Sequence, residues 1–122
     1  MNLQIDHIVI SVKDLKKSVK FYESFLGKAK VSKVDSSWNL NGTKLFLTCA
    51  YTKFAKKFDK HNFGLNHLAF KADSLKQLKN FETKLNKSKI QNSGIQLDQY
   101  SNKEFIWFDD PDGIRLEFYL RN

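Results

Sequence analysis

The sequence contains an internal repeat. Residues 5–26 run Ile5-Asp6-His7-Ile8-Val9-Ile10 and continue through Leu15-Lys16 to Phe21 and Leu26. Sixty positions later Leu65-Asn66-His67-Leu68-Ala69-Phe70 continues through Leu75-Lys76 to Phe81 and Leu85. His7 matches His67, and apolar positions 8, 10 and 12 match 68, 70 and 72. The tails match more loosely, Trp38–Leu47 turning at Gly42 and Trp107–Leu120 at Gly113. In a chain of 122 residues two such copies fill the whole length. The fold must therefore be one supersecondary unit used twice.

Each unit opens with a strand and continues into a helix. Over 5–12, Ile8, Ile10 and Val12 alternate with His7, Val9 and Ser11, the period of two of a strand with one buried face. Asp14 is the expected N-cap of a helix with the stripe Leu15, Val19, Tyr22 and Phe25, and Gly27 suits its end. In the second unit Ser74 and Gln77 read as a capping box ahead of Leu75, Leu78, Phe81 and Leu85. Three shorter strands should complete each unit. In the second, the clearest lie near 104–109 and 114–120, joined by the turn Asp110-Pro111-Asp112-Gly113. The expected class is α+β: tandem β-α-β-β-β modules, about 1–60 and 61–122, in one domain with no Pro/Gly-rich linker.

Composition excludes more than it identifies. The 21 basic residues against 13 acidic ones give a net charge of +8, which raises affinity for phosphate backbones. Nineteen of the 21 are lysines spread along the chain, with Arg115 and Arg121 the exceptions. Nucleic-acid recognition wants arginine and aromatic clustering, so no nucleic-acid partner is expected. Lys53, Lys56, Lys57 and Lys60 read as a solvated face. No apolar run reaches the roughly 18 residues of a membrane span, and the start has no apolar signal region. The lone Cys49 has no disulfide partner within the chain, so a cytoplasmic protein is expected. Its parity with Leu45 and Leu47 predicts a buried thiol.

Strand parity then selects candidate ligands. With Ile8, Ile10 and Val12 facing the helix, His7 points the other way. Leu68, Phe70 and Ala72 likewise leave His67 opposite. On the last strand Ile114, Leu116, Phe118 and Leu120 form the apolar face, leaving Arg115, Glu117 and Tyr119 on the other. Two imidazoles and a carboxylate form a first shell suited to Mn²⁺, Fe²⁺, Co²⁺, Ni²⁺ or Zn²⁺. Three protein ligands leave positions open for substrate, whereas a structural site would be closed.

These segments resemble the vicinal oxygen chelate superfamily of glyoxalase I, extradiol dioxygenases, fosfomycin-resistance enzymes and bleomycin-resistance proteins. The resemblance rests on Ile5–Ile10 with Phe21-Tyr22 and Leu26-Gly27, on Gly64–Phe70, and most specifically on Phe108-Asp109-Asp110-Pro111-Asp112-Gly113-Ile114-Arg115-Leu116-Glu117. It implies two modules curved around a cavity holding one divalent metal, with His7, His67 and Glu117 as ligands, in a homodimer that acts on a small molecule.

Departures from the family pattern narrow this expectation. Aligning Gly42 with Gly113 puts Phe46 where glyoxalase I has a fourth ligand, which argues against that reaction. Val9 and Trp107 replace a threonine and a tyrosine of the fosfomycin transferases. Arg115 could pair with an anionic substrate group, Phe46 and Trp107 could wall the pocket, and Arg115 and Tyr119 are the candidate catalytic residues. Trp38 and Trp107 could equally serve the core or a dimer contact. His61, in the lysine-rich stretch, reads as a surface residue, with a catalytic role as the alternative; Tyr100 is a further acid/base candidate. Two functions follow: a metal-dependent enzyme on an oxygen-rich substrate, or a binding protein of the bleomycin-resistance type.

Overall fold

His7 opens the first strand, and the element order from there repeats once. A computed structural model describes residues 1–121. The first series is β1 (His7–Val12), α1 (Leu15–Leu26), β2 (Lys30–Val31), β3 (Asp35–Leu40) and β4 (Thr43–Cys49). The second is β5 (Leu68–Ala72), α2 (Leu75–Lys87), β6 (Gln96–Leu97), β7 (Glu104–Asp109) and β8 (Arg115–Leu120). The chain divides into two compact units, one ending at Lys56 and the other beginning at Lys57, each with the order β-α-β-β-β. The expected boundary lay a few residues later, because Lys57 and Phe58 belong with the second unit: the Phe58 N–H donates to the Asp112 carbonyl at 3.0 Å.

The two sheets have the same topology, β1-β4-β3-β2 and β5-β8-β7-β6. The first pair in each is parallel and the others antiparallel, because only the first connection carries a crossover helix. β1 and β5 start later than the periodicity suggested, so His7 is the first residue of its strand and His67 lies just before its own.

The helices form where the capping chemistry put them. Asp14 Oδ1 accepts from the Lys17 N–H at 3.1 Å, and Gly27 ends α1 at φ +86°. Ser74 Oγ accepts from the Gln77 N–H at 3.1 Å, while Gln77 Oε1 reaches back one residue further than a standard box, to the Asp73 N–H at 2.7 Å. Tyr22 and Phe25 are buried as expected, and so are Leu78 and Leu85. Leu75, the first residue of α2, is 42% exposed.

The core of each unit lies between its helix and one face of its sheet. In the first, Tyr22 packs on Trp38 with ring centroids 5.9 Å apart, and the Trp38 indole N–H donates to the Gly27 carbonyl at 2.8 Å. That bond ties the helix end to the sheet. In the second, Phe81 stacks on Phe118 at 4.1 Å, and Leu116 and Ile106 are fully buried. Each such side chain contributes about 1.5–3 kcal/mol relative to exposure. Cys49 departs from its parity: it is exposed at the last position of β4.

Candidate metal centre

The opposite face of each sheet carries the polar side chains. In the second unit, β8 presents Arg115, Glu117 and Tyr119, each half-buried, between the fully covered Leu116 and Phe118. The register sets Glu117 between Ala69 of β5 and Trp107 of β7. His67 Nε2 stands 3.5 Å from Glu117 Oε1, and the Glu117 side chain is only 13% exposed. Burial pushes the Glu117 carboxyl above its ordinary value, against the opposing pull of His67 and Arg115. A carboxylate desolvated to this degree wants a cation.

The neighbours of His67 determine which nitrogen faces that carboxylate. Asn66 Nδ2 donates to the Lys60 carbonyl at 3.3 Å, which leaves Asn66 Oδ1 as an acceptor 2.7 Å from His67 Nδ1. Nδ1 therefore carries the proton, and in the neutral ring Nε2 presents a lone pair. In that form the ring nitrogen and Glu117 Oε1 turn one nitrogen and one oxygen ligand atom toward the same gap. His67 Nε2 and Glu117 Oε1 would be the atoms of this unit to hold a divalent ion, whose usual ligands are of these two types. The donor types and their spacing fit a divalent metal.

The first unit holds the repeat counterpart. His7 Nδ1 lies 2.7 Å from Asp6 Oδ2, so Asp6 fixes the same tautomer that Asn66 fixes in His67. Orienting partners of this kind hold metal-binding imidazoles in place. Phe46 stands beside Val9 in β1–β4 as Glu117 stands beside Ala69 in β5–β8, and both lie opposite the residue two after the histidine. The sequence alignment of Phe46 with Glu117 is thus a register equivalence. Phe46 meets His7 edge-on at 6.0 Å and offers it no donor.

The remaining candidates divide by partner. The Arg115 guanidinium lies 4.0 Å over the Trp107 ring, and its Nε donates to Asp109 Oδ1 at 2.7 Å. It is thereby fixed beside Glu117. The Tyr119 hydroxyl donates to Asp98 Oδ2 and also contacts Ser101 Oγ, and that bond is the main cause holding the Asp98 carboxyl below its ordinary value. Arg121 stacks on the Tyr119 ring at 4.5 Å. His61 is exposed in its loop, 3.3 Å from Asp59 Oδ1, and Tyr100 is exposed. Among the described residues no three His, Cys, Asp or Glu side chains form a ready-made metal cage. The second unit supplies a His–Glu pair and the first a single histidine. Asp6, Asn66, Asp98 and Asp109 were missed in the sequence. The first two were visible as the residue before each repeated histidine.

Comparison with known proteins agrees with this architecture. The chain is 30% identical over 115 residues to the metallothiol transferase FosB of Lysinibacillus sphaericus, covering 94% of this chain and 80% of that protein. It is 28% identical to the metallothiol transferase FosB of Bacillus licheniformis, covering 96% and 75%. The crystal structure of a glyoxylase/bleomycin resistance protein/dioxygenase domain from Frankia superposes with a TM-score of 0.77 at 25% identity, covering all of both chains. The profile of the Glyoxalase/Bleomycin resistance protein/Dioxygenase superfamily matches residues 4–118. The chain belongs to that superfamily.

Proposed function

We propose that the protein is a divalent-metal-dependent enzyme acting on a small substrate with two neighbouring oxygens, with His7, His67 and Glu117 as the metal ligands. The observation that carries this reading is the pairing of His67 Nε2 with the largely buried Glu117 Oε1 at 3.5 Å, a nitrogen and an oxygen within reach of a single ion. The relation to metallothiol transferases supports metal-dependent chemistry, and Phe46 in place of a fourth ligand argues against glyoxalase I activity. Held by His7, His67 and Glu117, Fe²⁺, Mn²⁺, Zn²⁺, Ni²⁺ or Co²⁺ would supply Lewis-acid stabilisation of charge developing on a substrate oxygen.

The chain's own residues do the rest. Arg115, preset by Asp109 and Trp107, binds an anionic substrate group without first losing side-chain freedom. Trp107 excludes water from the side of Glu117 and stacks on flat or apolar substrate surface. Tyr119 keeps its proton directed at Asp98 and acts as a hydrogen-bond donor at the edge of the site rather than as a base. We place the protein as a homodimer in the cytoplasm: family resemblance supports the first, and the unpaired exposed Cys49 suits a reducing compartment. No helix of the described residues is long and apolar enough to cross a membrane.

The test is a panel of small substrates with adjacent oxygens, alone and with thiols, followed by mass spectrometry. Conversion that stops with chelator, returns with one of the five ions and is absent in Glu117→Gln supports an enzyme. Tight binding with no conversion under any metal makes the protein a sequestering one of the bleomycin-resistance type.

A further inference from the structure

The first sheet carries a second feature on its polar face, and comparison with its repeat exposes it. Lys44 precedes Phe46 by two residues, as Arg115 precedes Glu117, so Lys44 is the counterpart of Arg115. Across β7–β8, Arg115 faces Asp109 and Glu117 faces Trp107. Across β3–β4, Lys44 faces Asn39 and Phe46 faces Ser37. The first unit thus sets a neutral amide where the second sets a carboxylate, and a serine where the second sets an indole.

The first exchange leaves charge and the second leaves room. Among the described residues neither Lys44 nor Lys30 makes an ion pair. Both line one concavity of about 520 Å³ with Ser37, Asn39 and Phe46, within the range of roughly 300–1,000 Å³ usual for small-molecule sites. Its one carboxylate, Asp35, is engaged by the Ser32 hydroxyl at 2.8 Å. Asn39 accepts the Gly42 N–H through Oδ1 at 2.8 Å, so its amide nitrogen remains a donor. Lys30, Ser37 and Phe46 form one cross-strand row, which puts Lys30 about 10 Å from Phe46 along the backbone. In this register Ser37 and Asn39 lie between Lys30 and Lys44, so an anion over them would meet two cationic residues and two neutral donors, with Phe46 at its side.

We propose that this concavity binds a small oxyanion carried on a short apolar body, the anion held by Lys30 and Lys44 and the body by Phe46. Because Lys44 is the strand partner of His7, such a ligand would lie beside the proposed metal site. Binding is a property of the first unit alone, and only its link to turnover rests on the metal reading.

The experiment titrates phenyl phosphate into chelator-treated protein and follows backbone amides by NMR. Shifts should concentrate at Ser37, Asn39, Lys44 and Phe46. Lys30→Gln with Lys44→Gln should weaken binding about tenfold or more, the loss expected for charge-assisted contacts. The matching double arginine variant should retain binding. Phe46→Ala should weaken phenyl phosphate while leaving inorganic phosphate unchanged. His67→Ala, which disables the proposed metal pair, should bind phenyl phosphate like the parent, so failure of the metal reading leaves this result standing. Shifts spread over lysines outside the concavity, such as Lys76 and Lys79 of α2, or an undiminished affinity in the double glutamine variant, would overturn the proposal.

Discussion

Replacing Glu117 by Gln should make the metal-free protein more stable and the metal-loaded protein less so. In the metal-free chain a 13% exposed carboxylate stands 3.5 Å from His67 Nε2, and burying its charge is unfavourable. Glutamine removes the charge and can donate an amide hydrogen to Nε2. A neutral hydrogen bond of this kind contributes about 1 kcal/mol, which for a chain of this size is about 3–5 °C in Tm. With free metal at a hundred times its Kd, the parent gains about 2.7 kcal/mol, and the variant, lacking the anionic ligand, gains far less. The two melting curves therefore exchange order as metal is added. Calorimetry in chelator and then in excess Mn²⁺ or Zn²⁺ reads both halves. The pH dependence has a definite sign: the Glu117 carboxyl is raised in the folded state, so between its ordinary and raised values the folded chain binds more protons. This group's contribution is full at low pH and is lost as pH rises through the raised value, and Glu117→Gln removes it. A variant no more stable than the parent in chelator, with an equal metal-induced rise in both, would refute the argument.

Other consequences are testable one at a time. Asp6→Ala and Asn66→Ala remove the acceptors that fix the two histidine tautomers, and each should weaken metal binding about 10- to 100-fold without unfolding the chain; isothermal titration checks it. Tyr119→Phe should move the Asp98 carboxyl titration upward in NMR, since that hydroxyl is the main cause of its depression. The parent's Asp98 contribution to stability is present above its ordinary value and is lost as pH falls through the depressed one, and the variant should lose that dependence. Gly113→Ala places a Cβ 3.0 Å from the Phe58 carbonyl oxygen at φ +88°, and should cost about 1–3 kcal/mol in chemical denaturation.

Much of this architecture was legible in the residues. The repeat announced two equal units, parity put His7, His67 and Glu117 on the polar faces, and the Asp-Pro-Asp-Gly turn formed as read. There Asp110 Oδ1 accepts the Asp112 and Ile114 N–H groups, both at 2.9 Å. What escaped depended on partners distant in sequence. β2 and β6 are two-residue edge strands with both residues exposed, so no hydrophobic pattern marks them. Cys49 follows the parity of the buried Leu45 and Leu47, yet as the last residue of β4 it is exposed, and parity alone does not mark where a strand's buried face ends. Arg115 was legible as a cation on the polar face, but its fixation by Asp109 and Trp107 is a matter of cross-strand register. The contrast between Asp109 and Asn39, on which the anion site rests, becomes visible only when the two registers are compared.

The central claim is that this chain binds one divalent ion through His7, His67 and Glu117. Elemental analysis of protein purified without chelator, expressed per chain, tests it most directly when run beside His7→Ala, His67→Ala and Glu117→Gln. The account predicts about one ion per chain in the parent, set by the single His–Glu pair and its histidine counterpart, and marked loss in all three variants. A parent that binds no ion even after dialysis against each of the five metals, or full occupancy retained in the variants, would contradict it.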